Sequence, residues 1–291
     1  MTSEYRKGAV LVASGAIATS FAPVFVQLAD VPATTAAFYR MGIGGLVLAA
    51  ISFRNLRTDL GRPLWTLILC AGIIFALDLA FWHRSIRYVG PGLATILGNF
   101  QIFFVALFGW AILRERIGPL YVLGTVVAFA GLVLLLGQGW GRPGVDFRLG
   151  VAFGLLTAVM YAAYLLLLRR TQSVPGKLGP LANMGLISLA GTIALAVAVF
   201  AEGESFAINS IRNGVLLVGY ALIGQVIGWV AIYKGLSHLP ASRASLILLL
   251  QPSLAFTWDV LLLARPTSHR EMLGGMLALL GIYLGMRRDT V

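Results

Sequence analysis

Residues 84–136 and 234–286 carry the same pattern, 150 positions apart. Ala94 falls on Ala244, Gln101 on Gln251, Gly124 on Gly274 and Gly131 on Gly281. Thr95 meets Ser245 and Val89 meets Leu239, with no gap over about fifty positions. Self-similarity at a fixed offset means one structural unit used twice. The chain also opens on an echo, since Gly8-Ala9-Val10 returns as Gly150-Val151-Ala152.

Both copies are almost wholly apolar. Of the 291 residues, 59% are hydrophobic and only 11% charged, against roughly 25% charged in a soluble domain. These runs are continuous rather than alternating, so they read as membrane-spanning helices and not as barrel strands. Many of the 34 glycines lie inside the runs, where they let helix backbones approach closely. The single cysteine, Cys70, is expected to be a small packing residue and forms no disulfide within one chain. The net charge of +11 comes from Lys and Arg scattered at the ends of apolar segments. No basic stripe or recognition motif accompanies them, which excludes nucleic acid as a partner. The opening residues, with Glu4, Arg6 and Lys7 before a full-length span, do not read as a cleavable leader.

Ten spans are expected, near 8–28, 33–53, 64–83, 91–113, 119–138, 149–168, 179–201, 213–235, 241–263 and 270–287. Their connections are short and rich in Pro, Gly and charge, leaving no room for a soluble domain. The repeat divides the chain into a first five-helix unit, 1–140, and a second, 141–291. Five is odd, so the second unit enters the membrane from the opposite side. That is the inverted-topology repeat of many secondary transporters. With the N-terminus inside, cytoplasmic loops hold fourteen Lys and Arg against seven outside, which places both termini in the cytoplasm.

Polar groups deep in lipid are costly unless they are paired or line a wet cavity, so they mark candidate sites. Asp78 lies two-thirds along the third span, and Trp82 shares its helix face four residues on, with His83 beside it. Asp78 reads as a cavity carboxylate, as the ion-pair partner of Arg40, or as both. Arg40 in turn could hold a substrate carboxylate or snorkel toward one membrane face. Asn99, Gln101, Gln225 and Gln251 supply uncharged donors and acceptors, and Gln101 and Gln251 should flank a pseudo-twofold axis near the midplane. Pro23 and Pro252 each free a carbonyl one turn earlier. Tyr161, Tyr164 and Trp229 are candidate walls, and Gln225 and Trp229 are again four apart. Asp259 reads as an interfacial carboxylate, and Trp110 and Tyr233 as packing or interfacial residues. Three His and one Cys offer no metal-ligand spacing, and no nucleophile elbow, zincin motif or P-loop exists. No cofactor, enzymatic activity or ATP-driven transport is expected.

The Phe38-Tyr39-Arg40 step resembles the drug/metabolite transporter superfamily, in its EamA-type permease branch. So does the run from Ala94 through Arg114-Glu115-Arg116 to Gly124 and Gly131. The segment Ala158-Val159-Met160-Tyr161-Ala162-Ala163-Tyr164, ending in Arg169-Arg170, is similar to that family's second-repeat opening. The resemblance covers nearly the whole chain and implies an all-α fold of ten transmembrane helices in two inverted repeats. It also implies a central cavity lined by Trp82, Asn99, Tyr161, Gln225, Trp229 and Gln251. Glu115 matches the family's glutamate between spans 4 and 5, but position 265 in the second copy is Arg. The small four-span relatives couple protons through a glutamate in span 1, where this chain has no acid.

The expected function is export of small metabolites, amino acids first, across the inner (plasma) membrane by alternating access. Drug efflux through a cavity carboxylate and a non-transporting scaffold or sensor are the alternatives. The partners are a small-molecule substrate and membrane lipid, with a monomer or a homodimer both open.

Overall fold

A computed structural model describes residues 3–52, 61–114, 117–136, 145–174, 178–262 and 268–286. Every regular element among them is helical. In order they are α1 (Ser3–Thr19), α2 (Ala22–Leu28), α3 (Ala33–Ile51), α4 (Arg62–Asn99), α5 (Gln101–Leu113), α6 (Pro119–Leu136) and α7 (Val145–Thr171). The second set is α8 (Pro180–Glu202), α9 (Ile211–Tyr220), a π-helical segment (Ala221–Gly228), α10 (Trp229–Leu236), α11 (Ala241–Leu248), α12 (Leu250–Leu262) and α13 (His269–Met286).

Local chemistry sets several boundaries. Proline opens α2, α4 and α8, where its missing N–H would have no partner anyway. Ser210 caps α9 by accepting from the Asn213 backbone N–H at 3.1 Å. Gly203 ends α8 at φ +66°, a left-handed conformation that only glycine enters without strain, and its N–H returns to Phe200 O.

Burial is inverted relative to a soluble protein. Ile193, Val197 and Phe200 form an outward stripe on α8 and are 65% to 75% exposed. Arg40, Asp78 and Gln225 are buried. Only a lipid surround makes that distribution favourable. Among the described residues, six helical stretches are long and apolar enough to cross a membrane. They cover the first, second, third, sixth, seventh and eighth expected spans. The other four expected spans correspond to the distal limb of α4 with α5, to α6, to α11 with α12, and to α13.

The loop expected between 84 and 90 is absent, since α4 continues through it as 38 helical residues. A straight helix of that length would measure about 57 Å, nearly twice the hydrocarbon thickness. The helix is not straight. Thr157 lies 3.5 Å from the Asp78 carbonyl through Oγ1, and its Cγ2 lies 3.3 Å from where a Gly98 β-carbon would stand. Residues 78 and 98 of a straight helix would be about 30 Å apart. The chain must therefore double back between them. Val89 and Tyr88 touch Gly150, so the apex lies beside the start of α7, at the Gly90-Pro91-Gly92 step. α4 is therefore two limbs.

α6 and α13 are repeat equivalents and run antiparallel to each other. A β-carbon on Gly124 would fall 2.3 Å from Gly285 N, and one on Gly131 would fall 2.3 Å from Ala278 N. The contact of Gly124 with Gly281 is the image of the contact of Gly131 with Gly274 under the 150-residue shift. Equivalent helices that pass in opposite directions are what an inverted repeat produces. The units also exchange their first helices. Gly8 in α1 touches His238 and Val12 touches Gly235, while Gly150 in α7 touches Tyr88 and Gly154 touches Ser85. Each opening helix packs on the third span of the other unit.

Candidate functional site

The site grows around the π-helical segment. An α-helix rotates so that residues five apart face about 140° away from each other. The wider i→i+5 turn brings Tyr220 and Gln225 toward one side. Arg40, from α3, donates to both: Nε to Gln225 Oε1 at 3.2 Å and Nη1 to the Tyr220 hydroxyl at 3.0 Å. Gln225 is fully buried and its amide donates to Ser188 Oγ at 2.9 Å. The guanidinium carbon stands 5.0 Å from the Tyr220 ring centre and 5.6 Å from that of Phe75. Arg40 is therefore held inside the bundle and does not snorkel.

Phe75 joins this cation to an aromatic cluster. Its ring stacks on Tyr164 at 4.3 Å and 7°, and Trp229 meets Phe75 and Tyr164 edge-on, each at 4.9 Å. Tyr161 completes the group 6.0 Å from Trp229. Offset and edge contacts of this kind suit ring quadrupoles. Three polar atoms here are buried and make no hydrogen bond among the described residues: Asp78 Oδ1, Tyr164 Oη and Trp229 Nε1. Phe75, Asp78 and Trp82 lie on one face of α4, three and four residues apart. Among the described residues no ion pair joins Asp78 to Arg40, whose nearest polar partners are Gln225 and Tyr220. A guanidinium and a carboxyl group are thus buried in one cluster without pairing directly.

The fourth span of each unit is broken within one position of the same place. α4 gives way to α5 at Phe100, and α11 gives way to α12 at Leu249. Pro252 explains only the second break, because its counterpart Ile102 carries an N–H. Gln101 and Gln251 flank these breaks and make different contacts. Gln101 is fully buried and reaches Ser245 O at 3.4 Å, with its own carbonyl unbonded. Gln251 accepts from the Tyr161 hydroxyl at 3.1 Å and donates to Thr19 Oγ1 at 2.6 Å. Thr19 in turn donates to Gly15 O at the end of α1. The break between α1 and α2 is so tied to α12, and Trp258 Nε1 donating to Ser20 Oγ at 2.7 Å adds a second tie. Gln251→Leu is expected to lower the melting temperature in detergent clearly, by about 2 kcal/mol of stability, because it strands the Tyr161 and Thr19 groups. Gln101→Leu, which loses one long bond, should change it by less than half as much.

Of the ten residues expected at a site, Asp78, Tyr161, Tyr164, Gln225, Trp229 and Gln251 come together here. Asn99 is buried at the α4–α5 break. Trp82 is half-buried, and His83 is buried with neither ring nitrogen hydrogen-bonded among the described residues, one turn beyond the cluster. Tyr233 takes the packing role of the two expected for it: its hydroxyl sits in a buried network with Thr171 and Asn183. Trp110 is exposed, as expected of a lipid-facing ring. Glu115 lies outside the described residues, and the Asp259 side chain with it. Phe75, Tyr220 and Thr19 were not foreseen. Phe75 could have been, from its place on the Asp78–Trp82 face.

A polytopic helical bundle with antiparallel equivalent helices, broken spans and a buried polar cluster has the architecture of a membrane transporter. The chain belongs to the EamA-like transporter family, whose pattern matches twice, at residues 6–137 and 148–287. It is 27% identical to an uncharacterised transporter of Archaeoglobus fulgidus over 83% of this chain and 90% of that one. Against the uncharacterised inner membrane transporter YhbE of Escherichia coli it is 22% identical, over 86% and 79%. A protein crystal structure, 18% identical, superposes with a TM-score of 0.81 over 95% of both chains and shares the fold.

Proposed function

We propose that this protein is a secondary transporter that exports small metabolites, with amino acids the first class to test. In this reading ten spans form two five-helix inverted units, 1–140 and 141–291, in the inner (plasma) membrane with both termini cytoplasmic. The units rock about the central cluster, which faces each side in turn. One observation carries the substrate class. Arg40 and Asp78 place a guanidinium and a carboxyl group in one buried cluster and are not spent on each other. A zwitterion could present its carboxylate to Arg40 and the Trp229 indole, and its ammonium to Asp78. Phe75, Tyr164 and Trp229 would take the apolar part. Asp78 with its rings would also suit a hydrophobic cation, but Arg40 in the same cluster repels one. A scaffold or sensor gives no use for buried, unpaired charges. Transport without catalysis is the corresponding chemistry, so the protein is read as no enzyme.

Proteoliposomes loaded with labelled amino acids test this. Saturable flux is expected, falling at least about tenfold in Trp229→Ala and in Asp78→Asn while both variants stay folded. Flux of cationic dyes with no amino-acid flux would move the assignment to drug efflux. Wild-type flux in both variants would remove the cluster from the mechanism.

A further inference from the structure

The family resemblance places Gln225 in a cavity wall, yet both ends of its amide are already engaged. The side chain is fully buried. Its Oε1 accepts from Arg40 Nε at 3.2 Å, and its Nε2 donates to Ser188 Oγ at 2.9 Å. The Ser188 hydroxyl donates in turn to Met184 O, 2.7 Å away and one turn back on α8. The direction of this chain is forced. A backbone carbonyl only accepts, so the hydroxyl proton goes to Met184 and the Ser188 oxygen is left to accept. A guanidinium only donates, so it demands an acceptor at the other end of the amide. One orientation of Gln225 meets both demands. Turned over, the amide would set donor against donor at Arg40.

Space is arranged for the same side chain. Gly44 lies on α3, one turn from Arg40. A β-carbon there would fall 2.7 Å from Gln225 Cγ and 2.8 Å from its Cβ. Any larger residue would push Gln225 away from α3 and from the guanidinium. Arg40 is thus gripped twice, by Gln225 at Nε and by the Tyr220 hydroxyl at Nη1. A planar group bonded through two of its nitrogens cannot turn about its stem. These bonds use two of its five N–H groups and fix the direction of the others.

We propose that Gln225 is a positioning residue rather than a substrate contact, and that Ser188 and Gly44 fix, through it, the guanidinium plane that receives a substrate carboxylate. The proposal rests on the assignment of Arg40 to the carboxylate of a zwitterionic substrate, made above. Affinity for that carboxylate is then set by two residues that never meet it. Charge-assisted bonds to a planar fork are directional, so a tilted plane binds more weakly even though every charge is still present.

Nuclear magnetic resonance on the full chain in lipid nanodiscs, with nitrogen-labelled arginine, tests this without substrate. The Arg40 Nε–H signal is identified by its loss in Arg40→Lys. It should exchange with water at least about tenfold faster in Ser188→Ala and in Gly44→Ala. Ser188→Thr keeps a hydroxyl and should keep the native rate. Thr192→Ala, which removes a bond to the Ser188 backbone carbonyl, should also leave the rate unchanged. Proteoliposomes loaded with labelled amino acids give the second readout. In Ser188→Ala the KM should rise about tenfold while kcat stays within about twofold of native. Unchanged Nε exchange in Ser188→Ala and Gly44→Ala overturns the proposal. So does equally fast exchange in Thr192→Ala, which would mark a general loosening of α8. Faster exchange with a native KM would separate this grip from substrate binding and overturn it too. Faster exchange confined to Ser188→Ala and Gly44→Ala, in a protein that moves no amino acid, would keep the grip on Arg40 and discard the substrate assignment.

Discussion

Arg40→Met is expected to abolish flux and to destabilise the protein by about 3 kcal/mol. Two effects oppose each other. Removing a buried guanidinium relieves its desolvation, and a well-packed apolar residue there could even be favourable. Against this, Gln225 and Tyr220 lose their donor, and Asp78 is left buried with no cation in the cluster. An uncompensated buried carboxylate is the larger cost, so the net sign is loss. The double variant Arg40→Met/Asp78→Asn separates the contributions. It should recover much of the stability, measured by thermal melting in detergent, and none of the flux. Arg40→Lys should stay folded yet transport poorly, because an ammonium cannot reproduce the planar fork that spans Tyr220 and Gln225. Normal flux in Arg40→Met would take this residue out of substrate handling.

The second large effect is expected from the smallest change. Gly281→Ala places a methyl 2.1 Å from Ala128 N and 2.5 Å from Gly124 O. Both are backbone atoms and cannot swing aside, so α6 and α13 must separate along their length. A loss of about 3 kcal/mol or more is expected, read as poor recovery of folded protein and a lower melting temperature. The pseudo-symmetric Gly131→Ala, 2.3 Å from Ala278 N, should cost as much. Gly214→Ala, whose nearest neighbour would be Ile208 Cγ2 at 3.9 Å, should be tolerated. If Gly281→Ala and Gly214→Ala melt alike, the close α6–α13 approach is not what holds these helices.

Gly124, Gly131, Gly274 and Gly281 show why so much of the architecture could be read from the sequence. Their 150-residue spacing survives because the same close approach is made twice, in opposite directions. Polar side chains in apolar runs were equally legible. Asp78, Gln225 and Gln251 stand out because lipid penalises them, and Trp229 was reached from Gln225 by helical spacing. The π-helical segment was not legible. Nothing in Ala221–Gly228 announces the wider i→i+5 turn, so Tyr220 could not be placed beside Gln225, nor Arg40 between them. Arg40 was left between an inward and an outward placement for a related reason: whether a long side chain reaches outward or inward depends on which neighbour offers acceptors. At 84–90 the expected loop is replaced by helical backbone that continues through Gly90-Pro91-Gly92 as the chain turns back.

The exchange of α1 and α7 between the units has a consequence for biogenesis. α1 settles against α10, whose residues are synthesised some 220 positions later. At ribosomal speeds of about 5–20 residues per second, the N-terminal helix waits about 10 to 45 seconds for its mate. During that interval its small-residue face, Gly8 and Gly15, is shielded only by lipid or by the insertion machinery. A nascent chain interrupted after α6 would therefore carry an orphaned first helix, a ready signal for membrane quality control.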